Sequence, residues 1–426
     1  MITLTEDQQR ASDLLDDFLN SRRDDVFVLE GSAGTGKTWL IKNIASQMPE
    51  TMVLTAPTNK AVSVLEKGMP ADTSCMTIHK FLGLKVQRYE DKTKVVRNNS
   101  YDPSQYAHVR VVGLDEASMV DDQLLKYIQT DIQNWGRKYI FIGDPYQLFP
   151  VAEDECRMSR TFGMASSDKC KATLNKIVRQ AEGNPIIQMA TDIRDAITEH
   201  REPALRGGYN SEMDTGVYIL RSGDFIRKLQ EYTEHPDFHH NADFCRVVAW
   251  RNATVSDYNK QVRSMLKQDP SVPFCPGDIV TVNEAYVKGD EVLFNTGTEV
   301  TISSIAASEH PVFPEIKAWK VELFEAVGYD FWVLMEEAIP VYKSKLNKFK
   351  QDAFSSKNWG PYYGLAEFFI DLRPLFSITC HKSQGSTFEN TFVDLPDIYK
   401  NKRRTEADHC LYTAVTRSSK NVFIKI

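Results

Sequence analysis

The chain's clearest chemistry lies in eight consecutive residues, Gly31-Ser32-Ala33-Gly34-Thr35-Gly36-Lys37-Thr38. Their spacing matches G-x-x-x-x-G-K-[ST] in full, the pattern of a phosphate-binding loop. Glycines let a backbone wrap closely enough for its N–H groups to face phosphate oxygens. Gly31, Ala33, Gly34, Thr35 and Gly36 would build that cradle. Lys37 would reach the β- and γ-phosphates of a nucleotide, and the Thr38 hydroxyl would hold Mg²⁺. The alternative is a bare glycine turn, and the flanks argue against it. The apolar run Val26-Phe27-Val28-Leu29 reads as a buried strand, and Leu40, Ile41, Ile44 and Ala45 repeat at helical spacing. A helix N-terminus directly after the loop adds a favourable field for negative charge.

Two further clusters sit at the ends of apolar runs. Val109–Leu114 ends in Asp115-Glu116-Ala117-Ser118. Paired carboxylates at the C-terminal end of a buried strand stand where α/β sheets place ligands. Asp115 suits a Mg²⁺ ligand, and Glu116 suits the group that orients or deprotonates a water attacking the γ-phosphate. The plainer reading is an acid-rich helix start. Tyr139–Ile142 ends in Gly143-Asp144-Pro145-Tyr146-Gln147-Leu148, where Asp-Pro is an ordinary turn signal. Three strands ending in polar groups predict one composite site along a sheet edge.

The elements that must position these groups alternate between strand and helix patterns. Residues 2–20 read as a helix with Leu14, Leu15, Phe18 and Leu19 as its apolar stripe, and Thr5 with Gln8 makes a capping-box pattern. Met52–Thr55 reads as a strand, broken by Pro57 ahead of a helix that Thr58-Asn59 can cap. Residues 84–100 read as a β-hairpin excursion around Glu90–Thr93. Residues 171–200 read as helical. A second α/β unit begins at Arg246–Trp250 and is followed by a helix around Val255–Leu266. Short strands at 279–282, 300–302 and 319–323 suggest a small β-barrel. Residues 340–372 are rich in lysine and aromatics and read as helical, with a loop at Asn358–Pro361. The α/β pattern resumes at Phe376.

Composition narrows the setting. The chain has 426 residues and a net charge of −7, so any nucleic-acid contact must be a local groove rather than a basic coat. Its seven cysteines form no Cys-x-x-Cys pair, which argues against a zinc site or a disulfide framework and for a reduced, cytoplasmic setting. No apolar run approaches a membrane span, so no membrane partner is expected. His235, His239 and His240 read as a solvated loop rather than a metal site.

Taken together, the motifs resemble those of superfamily 1 helicases of the SF1B group, in the order that family has them and over nearly the whole chain. The chain is most similar to the Dda helicases of tailed bacteriophages and more distantly to RecD-like enzymes. The resemblance rests on Gln8, Gly31–Thr38, Ala56–Ala61, Asp115–Ser118, Gly143–Leu148, Leu174–Arg179, Thr379–Ser386 and Tyr412–Arg417. It implies ATP and Mg²⁺ as cofactors, Gln8 as the adenine reader, Gln147 as a γ-phosphate sensor and Arg179 and Arg417 as arginine fingers. It adds Gly385 to the nucleotide site. It makes Pro57, Thr58, Asn59, Thr77, His79, Asn252, His381 and Ser386 DNA contacts. Before Asn252 the family usually has Thr; here Arg251 stands in that place.

The implied fold is α/β, with two RecA-like P-loop domains, a β-hairpin insertion, and an SH3-like barrel insertion carrying a helical arm. Domain 1A covers 1–83 and 101–178, hairpin 1B covers 84–100, domain 2A covers 179–276 and 373–426, and domain 2B covers 277–372. The implied activity is ATP-driven 5′→3′ movement on single-stranded DNA with unwinding of duplex forks, in phage replication or recombination. The protein would act as a monomer in the host cytoplasm, with a single-strand DNA-binding protein as a candidate partner. The hairpin would be the wedge; a simple surface hairpin is the alternative. Three other functions stay open at this level: a translocase that displaces bound proteins with little unwinding, a nucleotide switch, and an RNA substrate. Two arginine motifs and a second α/β unit argue against the switch.

Overall fold

The computed structural model describes residues 4–70, 72–89, 92–98, 100–150, 160–176, 183–266, 269, 271–288 and 291–426. The chain divides into two compact units, one formed by Met1–Arg221 with Thr379–Ile426 and the other by Ser222–Ile378.

The first unit contains a six-stranded parallel sheet. Its order is Cys75–Thr77, Met52–Ala56, Val111–Leu114, Lys138–Gly143, Val26–Gly31 and Lys171–Leu174. A parallel sheet is buried on both faces, so its strands must be apolar on both sides. Val26-Phe27-Val28-Leu29 meets that demand. Phe27 and Leu29 join one core with Leu15, Leu40 and Ile41, while Val26 and Val28 join the opposite core with Phe81, Leu124 and Ile128. The helix Glu6–Asn20 starts at Thr5 with the capping box complete.

Lys171–Leu174 departs from the helical expectation for 171–200: it is the edge strand beside Val26–Gly31. Its side chains alternate between buried and more open positions, with Ala172 and Leu174 inward. That period of two serves a sheet edge, and the helix starts only at Pro185, capped by Asn184.

A second sheet in this unit joins Phe388–Asp394, Ser418–Lys425 and Thr215–Leu220 in parallel, with Gly208–Asn210 antiparallel at one end. Helices Pro185–Glu199 and Arg404–Thr416 pack on each other beside it. Leu84–Tyr89 and Lys92–Arg97 pair antiparallel, with Leu84 opposite Arg97.

The second unit holds strand Cys245–Ala249, helices Ser222–Thr233 and Asn252–Met265, and an antiparallel five-stranded sheet. The sheet order is Phe331–Leu334, Lys317–Leu323, Glu299–Glu309, Ile279–Val282 and Leu372–Pro374. Val280, Val300, Ile302, Val321 and Phe331 form its core. The lysine- and aromatic-rich segment forms helices Ile339–Ser356 and Gly360–Ala366.

Helix Asn252–Met265 is tied to the start of this sheet by an ion pair, Arg263 Nη2 to Asp278 Oδ2 at 2.8 Å. Asp278 also accepts the Cys275 N–H at 2.7 Å. Both charged residues are buried, so neither has water to replace its partner. Asp278→Ala is expected to lower stability by about 3 kcal/mol, because it leaves a buried guanidinium uncompensated. Chemical denaturation of the two proteins side by side measures this.

Candidate active site

The site is built at the C-terminal edge of the parallel sheet, where successive strands release their loops. Strand Val26–Gly31 releases the phosphate-binding loop. Gly34 and Gly36 lie in the left-handed region, with φ of 81° and 89°. A Cβ on Gly36 would come within 2.5 Å of Gln8 Nε2, so the amide of the first helix seats on the loop. Gln8 Nε2 donates to the Thr35 carbonyl at 3.0 Å, while its Oε1 accepts the Thr5 N–H at 3.1 Å. One side chain thus caps its own helix and braces the loop.

Lys37 Nζ donates to the carbonyls of Gly31 and Ser32 at 2.7 and 2.8 Å. The Thr38 hydroxyl donates to Asp115 Oδ2 at 3.0 Å, and Asp115 Oδ1 accepts the Glu116 N–H at 2.8 Å. Glu116 has φ of 51°, a left-handed conformation that strains a residue with a side chain. Gln147 is buried between Glu116 and Arg417. With its amide oriented to suit both neighbours, it donates to Glu116 Oε2 at 3.2 Å and accepts from Arg417 Nη2 at 2.9 Å. Arg417 Nη1 donates to the Ser386 carbonyl at 3.2 Å.

Burial raises the pKa of Asp115, Glu116 and Asp144 alike. At Glu116 the Arg417 charge opposes that rise and the Asp115 charge adds to it. At Asp144 the charges of Lys37 and Arg417 work against it, with hydrogen bonds from the Tyr146 N–H and Tyr412. The Asp144–Tyr412 bond is 2.8 Å long.

These groups face one cleft of about 290 Å³, close to the lower end for ligand pockets. It is lined by Lys37, Thr38, Asp115, Glu116, Gln147 and Arg417, and also by Ser32, Gly34 and Gly385. Helix Pro185–Glu199 contributes Ile187, Ala190 and Arg194 to the same wall. Ser32 Oγ and Arg417 Nε are buried among the described residues without a hydrogen-bond partner. Buried polar atoms of that kind fit a ligand rich in acceptors, as a polyphosphate is. Thr38 and Asp115 supply two hard oxygen donors. Mg²⁺ takes one or two protein carboxylates together with nucleotide phosphates, so this donor set suits it.

The remaining sequence-predicted residues are distributed as follows. Arg179 lies outside the described residues. Thr58 and Thr77 cap the helices Asn59–Glu66 and Ile78–Phe81 through their hydroxyls, with Pro57 and Asn59 half-buried beside Thr58. His79 and His381 are half-buried, and burial lowers the pKa of each. His381 Nε2 stands 3.7 Å from Glu406 Oε1. Gly385 has φ of 71°, and a Cβ there would lie 3.3 Å from Ala61 Cβ and 3.7 Å from Thr58 Oγ1. Loop 379–386 therefore runs against the Thr58 turn. Ser386 is buried. Asn252 begins its helix in the second unit. No group of three or more His, Cys, Asp or Glu that could hold a metal occurs among the described residues. No helix among them is long and apolar enough to cross a membrane.

Sequence reasoning passed over Asp144, Tyr412 and Arg194. Asp144 stands in a polar strand end with an Asp-Pro turn, signals that do not reveal that its carboxylate is buried facing two cations. Gly36→Ala is expected to weaken nucleotide binding while the fold persists. The left-handed backbone alone would cost about 1–3 kcal/mol, and Gln8 would have to move. Titration with a fluorescent nucleotide, with the unfolding midpoint measured in parallel, separates the two effects.

Residues 3–207 match the model of an AAA domain, and residues 374–424 match that of a UvrD-like helicase C-terminal domain. The chain is 26% identical to the ATP-dependent DNA helicase dda of Enterobacteria phage T4, over 99% of this chain and 98% of that one. It is 23% identical to the uncharacterized protein R530 of Acanthamoeba polyphaga mimivirus, over 98% of each. Among solved structures it resembles Pif1 helicase from Bacteroides in complex with ADP-AlF3 and single-stranded DNA. The TM-score is 0.54 at 16% identity, covering 99% of this chain and 92% of that one. That likeness and the two α/β sheets give the fold as two RecA-like domains. With a likeness to the phage helicase running end to end and helicase-type domain matches in both parts of the chain, the protein is similar to superfamily 1 helicases.

Proposed function

We propose that this protein is an ATP-hydrolysing DNA helicase that moves 5′→3′ along single-stranded DNA and separates forked duplex, in phage DNA replication or recombination. The observation that carries the reading is the single hydrogen-bonded chain Glu116–Gln147–Arg417–Ser386. It joins the carboxylate read as the water-activating group to a residue of the loop that runs against Thr58. The name of one relative matched end to end, the ATP-dependent DNA helicase dda, supports the same activity.

In this reading Lys37 exchanges its two loop carbonyls for β- and γ-phosphate oxygens. Thr38 and Asp115 would hold Mg²⁺, which would supply positive charge to neutralise the phosphates. Glu116 orients the attacking water and accepts its proton. Gln147 and Arg417 contact the γ-phosphate, and Arg417 stabilises the charge that develops on it; such fingers contribute about 10³–10⁵ in rate. Arg179 would be the first arginine finger, Arg417 the second, and Gln8 the adenine contact. Loss of the γ-phosphate removes the shared ligand of Gln147 and Arg417, so loop 379–386 is released through Ser386.

Pro57, Thr58, Asn59, Thr77, His79, Asn252, His381 and Ser386 would hold the DNA backbone, which positions a strand without reading sequence. The hairpin 84–100 would be the wedge, and the antiparallel sheet with its helical arm the SH3-like domain 2B. We place 1–83 with 101–178 in domain 1A and 179–276 with 373–426 in domain 2A. The protein would work as a cytoplasmic monomer, with single-strand DNA-binding protein as a partner at the fork.

The first test uses two partial duplexes, one with a 5′ and one with a 3′ single-stranded tail, in ATP and Mg²⁺. Strand release is expected only from the 5′-tailed substrate and is expected to vanish in Lys37→Ala. Release only from the 3′ tail would reverse the polarity. DNA-stimulated ATP turnover without release would favour a translocase that displaces proteins.

Glu116→Gln is expected to lower kcat about 10²–10⁴-fold while ATP still binds. In the wild type, turnover needs Glu116 ionised. Because burial raises its pKa, activity should fall with decreasing pH at a point above the ordinary glutamate value of 4.5. A pH profile of single-turnover hydrolysis locates that limb.

A further inference from the structure

Leu148, the residue after Gln147, has both of its backbone groups held by the segments that carry Arg417 and Ser386. Its N–H donates to Thr413 Oγ1 at 3.2 Å, and its carbonyl accepts from Gln384 Nε2 at 2.8 Å. Thr413 lies in the last turn of helix Arg404–Thr416, whose C-cap is Arg417. Gln384 lies two residues before Ser386. Leu148, Thr413 and Gln384 are 1%, 0% and 6% exposed. At that burial a freed N–H or C=O has no water to turn to, so each bond resists rotation of the peptide group it belongs to. The Thr413 bond holds the Gln147–Leu148 peptide and the Gln384 bond holds the Leu148–Phe149 peptide, so Leu148 is fixed on both sides. The Gln147 amide itself is held directly by Glu116 and Arg417, and the bonds at Leu148 add a route by which movement of the two segments reaches the Gln147 backbone.

The neighbouring residues extend the clamp. The His409 imidazole Nδ1 stands 2.7 Å from the Tyr146 carbonyl, and Tyr412 holds Asp144. Burial lowers the pKa of His409, which keeps the ring neutral. A neutral ring with Nδ1 protonated donates to that carbonyl. Loop 379–386, at the other end of the bridge, packs Gly385 against Ala61 and Thr58.

We propose that Gln384 and Thr413 are positioning residues: they transmit the state of loop 379–386 to the backbone on both sides of Leu148 and so to Gln147, which makes ATP turnover respond to bound DNA. This rests on the helicase reading above. Neither side chain contacts the nucleotide in this scheme. Their loss should leave basal turnover alone and remove the response to DNA.

Gln384→Met and Thr413→Val each keep side-chain volume and delete one partner of Leu148. For both variants and the wild type, ATP turnover is measured with and without a single-stranded oligonucleotide. The KM for ATP and the half-saturating DNA concentration are measured alongside. The expected result is unchanged DNA-free kcat and KM, unchanged half-saturating DNA, and a DNA-stimulated kcat lowered about tenfold. A merely structural role would lower both rates together or raise the KM, and that result overturns the proposal. Full stimulation in either variant that folds, beside a stimulated wild type, overturns it alone. A wild type that DNA does not stimulate overturns the helicase reading and this inference together. The two variants probe the two backbone groups of Leu148, which lie in adjacent peptides, so an unfolded one leaves the other to decide.

Discussion

The constraint that organises this protein is electrostatic. Asp115, Glu116 and Asp144 face one cleft, and burial disfavours the charge on each of them. Lys37 and Arg417 supply the opposing charge. Removing either cation would leave like charges together in a poorly solvated place. The cations come from segments 380 residues apart, counted roughly along the chain, so the local balance at Glu116 depends on distant parts of the sequence meeting. Gln147 completes the contact as a neutral amide. It can donate to a carboxylate and accept from a guanidinium, a pairing that a charged side chain of the same length could not make on both sides.

Geometry follows from the sheet. A parallel sheet aligns strand ends on one edge, and three neighbouring strands deliver the P-loop, the Asp115-Glu116 pair and the Asp144–Leu148 loop there. The helices covering both faces fix the strands through two separate cores. The rigid edge then permits local strain, seen in the left-handed backbone of Glu116. On a looser scaffold that residue would relax toward an ordinary conformation and its carboxylate would leave Gln147.

The loop around Leu148 has the opposite role. Four of the polar groups it offers are taken by helix Arg404–Thr416 or by loop 379–386. An element so fully bonded does not move alone. It shifts together with its partners, which is the property a coupling element needs. The cleft thus combines a fixed half, set by the parallel sheet, with a half whose position depends on the C-terminal segments.

The sequence by itself determined the parts whose physics is local. Glycines at set spacing, a strand before them and a helix after them identify a phosphate-binding loop with no tertiary information. Apolar runs both faces deep announce parallel strands, and Thr5 with Gln8 announces a helix start. Only the tertiary structure decided what depends on distant neighbours. Lys171–Leu174 reads as part of a helical stretch until Val26–Gly31 stands beside it to accept a strand. Asp144 reads as a turn residue until Tyr412 and two cations surround it. Gln384 and Thr413 fall inside motif segments, but nothing in those segments tells that they hold the backbone of Leu148. Backbone hydrogen-bond partners far apart along the chain leave no trace in residue type, since every residue but proline offers the same N–H and C=O.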